Sequence, residues 1–320
     1  MMASKPTSPI LPTICLLIAA SLWGTSWYPL RLLDAQGLHG IWAAFFIYAG
    51  TLVFGLPLFL FRRQACFAHW RYLLLLGLVS GWCNVAFFLA ILEGNVVRVL
   101  VLFYLSPIWA VILARFVLHE VLSGLAKLSL AIAMCGALIM LWSPAVGLPW
   151  PQTQADWLAI SSGFAFALGN VITRQGERVP ILAKTLSTWF GAVAVGGLWI
   201  VLSSSSLPEV SQTTLLAALG LGAGAIVIMT ALVQYGVTNM PVHRSAVVLL
   251  FELFAGAVSA QLLTNEIVTL QEWLGGVLIL LAAGLSARLP ALNPDFPLTS
   301  TAAAQRTESA REKKKNSLSP

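Results

Sequence analysis

One acidic side chain, Glu252, lies inside an apolar stretch and is the strongest candidate for chemistry. It belongs to residues 243–263, a segment long enough to cross a bilayer. A carboxylate near the bilayer centre costs about 2.5–3.5 kcal/mol on insertion scales, so it usually faces a cavity, pairs with a cation or is protonated. Glu252 is therefore predicted to bind an amine or a coupling proton. The alternative is a neutral acid that is buried against a hydrogen-bonding neighbour.

Two arginines occupy equivalent places in the chain. Arg98 and Arg244 are 146 residues apart, near the starts of two apolar segments. Either guanidinium would attract a substrate carboxylate or act in a gate. The alternative is that each long side chain extends from a helix end to the lipid headgroups. The sequence leaves both interpretations open.

Aromatic and amide side chains in other apolar segments could line an amphipathic cavity. Aromatic rings would supply apolar walls and cation–π contacts, and the amides would orient polar groups. A single aromatic residue in such a segment often serves only packing, so the set is more informative than any member. The predicted lining residues, together with Glu252, are Trp23, Ser26, Trp27, Trp82, Asn84, Phe88, Tyr104, Asn170 and Gln234.

Residue spacing gives little support to catalysis, metal binding or cofactor binding. The four histidines fall in loops or at segment ends, and no Ser–His, His–Glu or paired-carboxylate arrangement can be assembled within an apolar segment. The four cysteines lack metal-binding spacing. The sequence therefore predicts a protein that is not an enzyme and that carries no metal or cofactor.

Composition identifies the elements that must position these side chains. Of the 320 residues, 58% are hydrophobic and 9% are charged, whereas a soluble domain carries about 25% charged residues. A chain with so few charges cannot cover a surface that faces water, so lipid must be its main solvent. The predicted fold class is an all-α polytopic membrane protein.

Ten mainly apolar segments, each of roughly 20 residues, are long enough to cross a bilayer. The predicted spans are 11–33, 41–61, 71–92, 96–117, 124–143, 156–174, 183–202, 213–236, 243–263 and 270–288. A Pro/Gly linker at 144–155 separates a first five-helix repeat over 10–143 from a second over 156–288. An N-terminal tail, 1–9, precedes them, and the basic C-terminal tail, 289–320, is predicted to be disordered.

The two halves repeat each other in opposite orientations. Glu120 and Glu266 each begin a short turn before an apolar segment, and their separation is again 146 residues. Both are predicted to be structural turn acids, because an acid near a helix N-terminus can accept hydrogen bonds from free N–H groups. Five spans per half invert the second copy, which is predicted to place Glu120 at the inner face and Glu266 at the outer face.

Glycine pairs recur in the third and eighth spans. Gly77 and Gly81 lie in the former, and Gly220 and Gly224 lie in the latter. Glycines four residues apart share one helix face, where they let two backbones approach closely. Both pairs are therefore predicted to pack against neighbouring helices.

Lysine and arginine residues cluster on one side of the predicted spans. They flank the loops after the second and sixth spans and occur in the C-terminal tail, whereas loops 144–155, 203–212 and 264–269 hold none. Basic loops tend to remain in the cytoplasm, so both termini are predicted to be cytoplasmic. The net charge of +6 is not gathered in a folded basic patch with aromatics, so nucleic acid is not a predicted partner.

Several of these motifs together resemble the EamA-type branch of the drug/metabolite transporter superfamily. They are the run Leu22-Trp-Gly-Thr-Ser-Trp27, Ser106-Pro107 in the fourth span, the turn acids Glu120 and Glu266, the run Pro241–Glu252, and the run Glu266–Gly275. Each motif is loose by itself. Their order, duplicated across ten spans from about residue 10 to 288, is what carries the resemblance.

The resemblance implies ten helices in two inverted five-helix repeats, with a cavity lined largely by helices 1, 3, 4, 6, 8 and 9. It also implies export or exchange of small metabolites, often amino acids, across a bacterial inner membrane. In many relatives a proline follows the acid of the ninth helix and bends it. Here that position holds Leu253.

The sequence as a whole predicts a secondary transporter that exports or exchanges a small amphipathic, amino-acid-like metabolite by alternating access at the interface of the repeats. The expected partners are that metabolite, coupled protons and membrane lipid, and the oligomeric state is left open. The alternatives are a non-transporting membrane subunit or sensor and, less well supported, an intramembrane enzyme.

Overall fold

The computed structural model describes residues 10–38, 40–142, 150–264 and 267–288, and every regular element in these ranges is a helix. The helices are α1 (Ile10–Thr25), α2 (Trp27–Ala35), α3 (Gly40–Ala68), α4 (Trp70–Glu93), α5 (Val96–Phe103), α6 (Ser106–Val117), α7 (Gly124–Leu141), α8 (Gln154–Gln175), α9 (Ile181–Leu202), α10 (Gln212–Leu221), α11 (Val227–Thr238), α12 (Val242–Leu249), α13 (Phe251–Leu263) and α14 (Leu270–Arg288). A π-helical turn, Gly222–Ile226, joins α10 to α11.

These helices form ten rods, which are numbered as spans 1 to 10. Spans 1, 4, 8 and 9 each consist of two consecutive helices, α1–α2, α5–α6, α10–α11 and α12–α13, and every other span is one helix. Within the described residues, nine rods are long and apolar enough to cross a membrane, and the tenth contains the apolar helix Leu270–Ser286. The chain is therefore the all-α polytopic membrane protein that the sequence predicts.

Two of the interruptions lie at repeat-equivalent positions. Span 4 is interrupted at Tyr104 and Leu105, and span 9 at Leu250; Tyr104 and Leu250 are 146 residues apart. Pro107 explains the first interruption, because it lacks an N–H group for the carbonyl one turn earlier. Span 9 breaks without a proline: Leu253 N–H instead bonds to the Leu250 carbonyl at 3.1 Å, a tighter turn than an α-helix makes.

The two predicted glycine pairs have different outcomes. Gly77 and Gly81 pack against Gly191 of span 7, and a Cβ at Gly81 would lie 2.4 Å from the Gly191 carbonyl oxygen. Close packing at this pair is confirmed. Gly220 and Gly224 have no atom of another residue near the place where a Cβ would stand, so the prediction of close packing there is wrong.

Helix contacts follow a two-fold pattern. Contacts between spans recur when each span is replaced by its counterpart five places away in the chain. Span 3 packs on spans 6 and 7, and its counterpart, span 8, packs on spans 1 and 2. Span 4 packs on span 6, and span 9 on span 1. Spans 5 and 10 pair with each other, and the Ser129 hydroxyl donates to the Ala282 carbonyl across that pair at 2.8 Å. This pairing agrees with two five-helix repeats.

The bundle is packed more closely at one end. At the end where spans 4, 6 and 8 finish, which the sequence predicts to be the inner end, α6 contacts α12, and α8 contacts both α11 and α12. The counterparts of these pairs lie at the predicted outer end and make little contact among the described residues. They are α5 with α13, and span 1 with both α4 and α5. The repeats are thus closed at the predicted inner end and more open at the other.

Candidate functional site

The spans surround a central cavity of about 190 Å³ with largely apolar walls. Six of the ten predicted lining residues, one from each of spans 1, 3, 4, 6, 8 and 9, line it: Trp23, Asn84, Tyr104, Asn170, Gln234 and Glu252. Glu252 is the only charged side chain among the described lining residues. A mainly apolar pocket with a few polar groups and one carboxylate suits a small amphipathic molecule that carries a positive charge.

The helix break in span 9 positions Glu252. The residue is the second of α13, directly after the interruption at Leu250. The Tyr104 side chain lies close enough to the Glu252 carboxylate for the two groups to interact, and both line the cavity. Tyr104 itself stands at the break in span 4. The two repeat-equivalent interruptions therefore supply a phenol hydroxyl and a carboxylate to the cavity.

Close helix crossings hold both interruptions in place. A Cβ at Gly24 of span 1 would lie 2.4 Å from the carbonyl oxygen of Glu252, and a Cβ at Gly163 of span 6 would lie 2.6 Å from that of Phe103. Only glycine allows backbones to approach this closely. Span 1 is thus seated against the break in span 9, and span 6 against the break in span 4, as the repeat relation requires.

Amide and hydroxyl groups form the polar lining toward the predicted inner end. Gln234 and Asn170 are each 7% exposed, and the Thr173 hydroxyl donates to the Gln234 side-chain oxygen at 3.2 Å. Thr173 also lines the cavity. These groups can hydrogen-bond the neutral or anionic parts of a ligand.

Spans 2 and 7 also contribute to the cavity, although the sequence did not indicate them. Tyr48 comes from span 2 and Thr188 from span 7. The Tyr48 hydroxyl donates to the Asn84 side-chain oxygen at 2.7 Å. A single tyrosine in an aromatic, apolar run carries no periodic signal, so residue patterns alone could not have found it.

A second cavity of about 250 Å³ adjoins the first. It lies between spans 1, 2, 3 and 8, with Leu263 of span 9 also in its lining, toward the predicted outer end. It shares Trp23, Tyr48 and Asn84 with the central cavity. The predicted lining residues Ser26 and Phe88 face this cavity rather than the central one.

Two predicted lining residues contact neither cavity. The Trp27 indole N–H donates to the Ser259 hydroxyl at 2.9 Å, and its ring lies 5.2 Å from the Arg31 guanidinium carbon. Trp82 packs edge-on against Trp199 of span 7, with ring centroids 6.2 Å apart. Both tryptophans therefore serve helix packing in this structure.

The two arginines lie outside both sets of lining residues. Arg98 Nε donates to both carboxylate oxygens of Asp156 at 2.9 Å, and its guanidinium also donates to the Trp150 carbonyl. These contacts tie the start of span 4 to the start of span 6. Arg244 is 2% exposed near the start of span 9. Neither guanidinium is brought to the Glu252 carboxylate.

Glu120 contacts the start of span 9 at the predicted inner end. Its carboxylate accepts a hydrogen bond from Val242 N–H at 3.2 Å and lies 3.5 Å from His243 Nδ1 and 3.9 Å from Arg174 Nε. The acid thus caps span 9, whereas the cap of the following span 5 is Ser123. The other turn acid, Glu266, lies outside the described residues, as do both predicted tails.

A buried lysine braces the same end. Lys184 of span 7 is fully buried, and its ammonium donates to the carbonyls of Thr173 and Gly176 at 3.1 Å and to the Thr238 hydroxyl at 2.6 Å. All three ammonium protons are therefore bonded. Residue patterns give Lys184 no role of its own, although a lysine at a span end is visible in the sequence.

Comparison with known proteins agrees with this architecture. The model of the EamA-like transporter family matches the chain twice, over residues 11–142 and 153–288. No curated protein matches the chain. Several solved structures are similar to it. One of them, a crystal structure, has a TM-score of 0.69 at 19% sequence identity, and the match covers 88% of this chain and 98% of that one. At that identity the likeness concerns the fold alone.

Proposed function

The chain belongs to the EamA-like transporter family, and we propose that it is a secondary transporter for a small amphipathic, amino-acid-like amine. Export or exchange across a bacterial inner membrane would proceed by alternating access. The observation that carries the proposal is the single carboxylate, Glu252, among the described residues of an otherwise uncharged, aromatic-walled cavity.

Glu252 would recognise the amine. A hydrogen bond that involves a charged group contributes about 1.5–3 kcal/mol, which corresponds to roughly ten- to a hundredfold in affinity. The ring of Trp23 would face the apolar body or the cation of the substrate. Tyr104 would orient the carboxylate while the site is empty and release it when the amine binds.

The carboxylate of an amino-acid-like substrate would meet neutral groups. Arg98 and Arg244 do not line the cavity, so the carboxylate would be met by neutral groups such as the amides of Asn84, Asn170 and Gln234. An amine should therefore be essential for recognition, and a carboxylate should not. Amines that lack a carboxylate are expected to compete with amino acids for the same site.

The unequal packing at the two ends supports alternating access. Closure at the predicted inner end and openness at the predicted outer end are what one of two alternating conformations requires. Exchanging the arrangements of the two repeats would produce the opposite conformation. The asymmetry of basic loops supports an orientation in which both termini are cytoplasmic.

The decisive experiment is counterflow of labelled amines and amino acids in proteoliposomes that contain the full chain. Glu252→Gln removes the charge and preserves the size of the side chain, and we expect at least a tenfold loss of apparent affinity for amines. Glu209→Gln, at an exposed loop acid, is the matched control. Equal counterflow in both variants would refute amine recognition by Glu252.

The same variant separates amine binding from proton coupling. If Glu252 carries a coupling proton, Glu252→Gln should abolish uptake driven by a pH gradient and leave counterflow intact. If it binds the amine, both activities should fall together. Substrate binding without any counterflow in the unaltered protein would favour the non-transporting sensor instead.

A further inference from the structure

The second cavity differs chemically from the central one. Its walls are mainly aliphatic and aromatic, including Ala44, Ala225 and Met229, and no charged side chain is among its described lining residues. Its polar groups are few and neutral, such as Ser26 and Tyr28. Its volume of about 250 Å³ is comparable to that of the central cavity, about 190 Å³. It therefore offers space for apolar groups and no partner for a charge.

Three side chains stand between the two cavities and line both. Trp23, Tyr48 and Asn84 form this shared wall, and the hydrogen bond from Tyr48 to Asn84 joins spans 2 and 3 within it. The Asn84 amide also donates to the Ser80 carbonyl at 2.8 Å. Because the two cavities share these three residues, a change in the rotamer of Tyr48 or Trp23 would alter the boundary between them.

We propose that the second cavity is a separate subsite that takes the uncharged alkyl or aryl portion of the transported amine. The inference rests on the proposed function, in which Glu252 holds the amine in the central cavity. The charge would stay on one side of the shared wall and the apolar chain would extend past it. The two subsites together would select amines with an apolar chain long enough to reach across.

This arrangement predicts how affinity depends on chain length. Burial of each additional methylene group should tighten binding by about fourfold while the second cavity is being filled. Short amines would occupy the central cavity only. Filling the second cavity with a larger side chain should therefore affect long amines and spare short ones.

A series of n-alkyl primary amines tests the inference in the reconstituted full chain. Competition against labelled ethylamine would be measured for Ala225→Phe, which fills the second cavity. The control is Ala217→Phe, which lies on the same span but is exposed and lines neither cavity. Leu263→Trp provides a second filling variant at the rim, where folding is at little risk. Leu262→Trp, its 77% exposed neighbour, is its control.

We expect both filling variants to keep the wild-type affinity for ethylamine and to lose the increase in affinity with chain length. Both controls should retain that increase. The inference would be overturned if affinity depended on chain length in the same way in the filling and the control variants, provided that these variants have a normal elution profile. Leu263 is 47% exposed, so its replacement should not disturb packing. If Ala225→Phe fails to fold, Leu263→Trp therefore decides the test.

An uncharged probe separates failure of this inference from failure of the proposed function. Binding of tritiated 1-hexanol to the purified chain should survive Glu252→Gln and should be lost in Ala225→Phe and Leu263→Trp. This result would support the apolar subsite even if amines proved not to be substrates. Hexanol binding that is equal in the filling and control variants would overturn it.

Discussion

The hydroxyl of Tyr48 donates a hydrogen bond to the side-chain oxygen of Asn84 across 2.7 Å, joining span 2 to span 3 at the wall between the two cavities. Tyr48 is 6% exposed, so water would have little access to the Asn84 oxygen if the Tyr48 hydroxyl were removed. The bond is therefore expected to contribute to stability as well as to the separation of the cavities.

Tyr48→Phe keeps the ring and removes only the hydrogen-bond donor. We expect a loss of about 1 kcal/mol, which corresponds to a fall of about 1.5 °C in the midpoint of thermal unfolding for a chain of this size. Tyr28→Phe, at another tyrosine that lines the second cavity, should leave the midpoint unchanged. Equal midpoints for both variants in the same detergent would contradict a stabilising role for the Tyr48 bond.

The crossing of spans 1 and 9 predicts different outcomes for two neighbouring glycines. A Cβ at Gly24 would lie 2.4 Å from the Glu252 carbonyl oxygen, whereas one at Gly256 would meet its nearest atom at 3.4 Å. Gly24→Ala should therefore force the spans apart, displace Glu252 and abolish amine counterflow. Gly256→Ala should retain it. Counterflow in Gly24→Ala at the wild-type rate would show that the crossing can relax without moving the carboxylate.

Much of this architecture could be predicted because it depends on composition and counting. The scarcity of charges requires a lipid-facing surface, and five spans per half require the second copy to be inverted. Glu252 could be found because a carboxylate in an apolar segment is costly wherever the helix points. The constant separation of 146 residues also identified the repeat. The two helix breaks, at Tyr104 and Leu250, have the same separation.

Other features depend on how each helix is rotated, which a nearly all-apolar sequence does not reveal. Trp23 and Trp27 lie on one short run, yet only Trp23 reaches the cavities. Trp27 is turned toward Ser259 of span 9. A helix that is apolar on every side has no polar face to indicate which residues point inward. Glycine pairs have the same limitation, as the open surroundings of Gly220 and Gly224 illustrate.

The buried ammonium of Lys184 should be a main stabiliser of the predicted inner end. Lys184→Met fills similar space but leaves the Thr173 and Gly176 carbonyls and the Thr238 hydroxyl without their donor. We expect destabilisation of about 2 kcal/mol, measured as a lower midpoint of thermal unfolding. Lys127→Met, at an exposed lysine of span 5, is the control. A Lys184→Met midpoint that matches the control would mean that those acceptors find other partners.

Glu120 should bias the conformation of the transporter, because it joins the turn after span 4 to the first N–H group of span 9. Removing a helix cap costs about 1 kcal/mol, which would shift the balance between conformations about fivefold away from closure at the predicted inner end. Cys83 lines the central cavity and can report this shift in a variant whose other three cysteines are replaced. Labelling by a membrane-impermeant maleimide would be measured from each side of oriented vesicles.

In that background, Glu120→Ala should speed labelling of Cys83 from the side that holds Glu120 and slow it from the opposite side. Glu177→Ala is the matched control, because this 57% exposed acid also pairs with Arg174 but does not cap span 9. If Glu120 only stabilised the fold, Glu120→Ala would lower the unfolding midpoint without changing the ratio of the two labelling rates. The ratio therefore distinguishes a conformational role for Glu120 from a structural one, and an unchanged ratio would exclude the former.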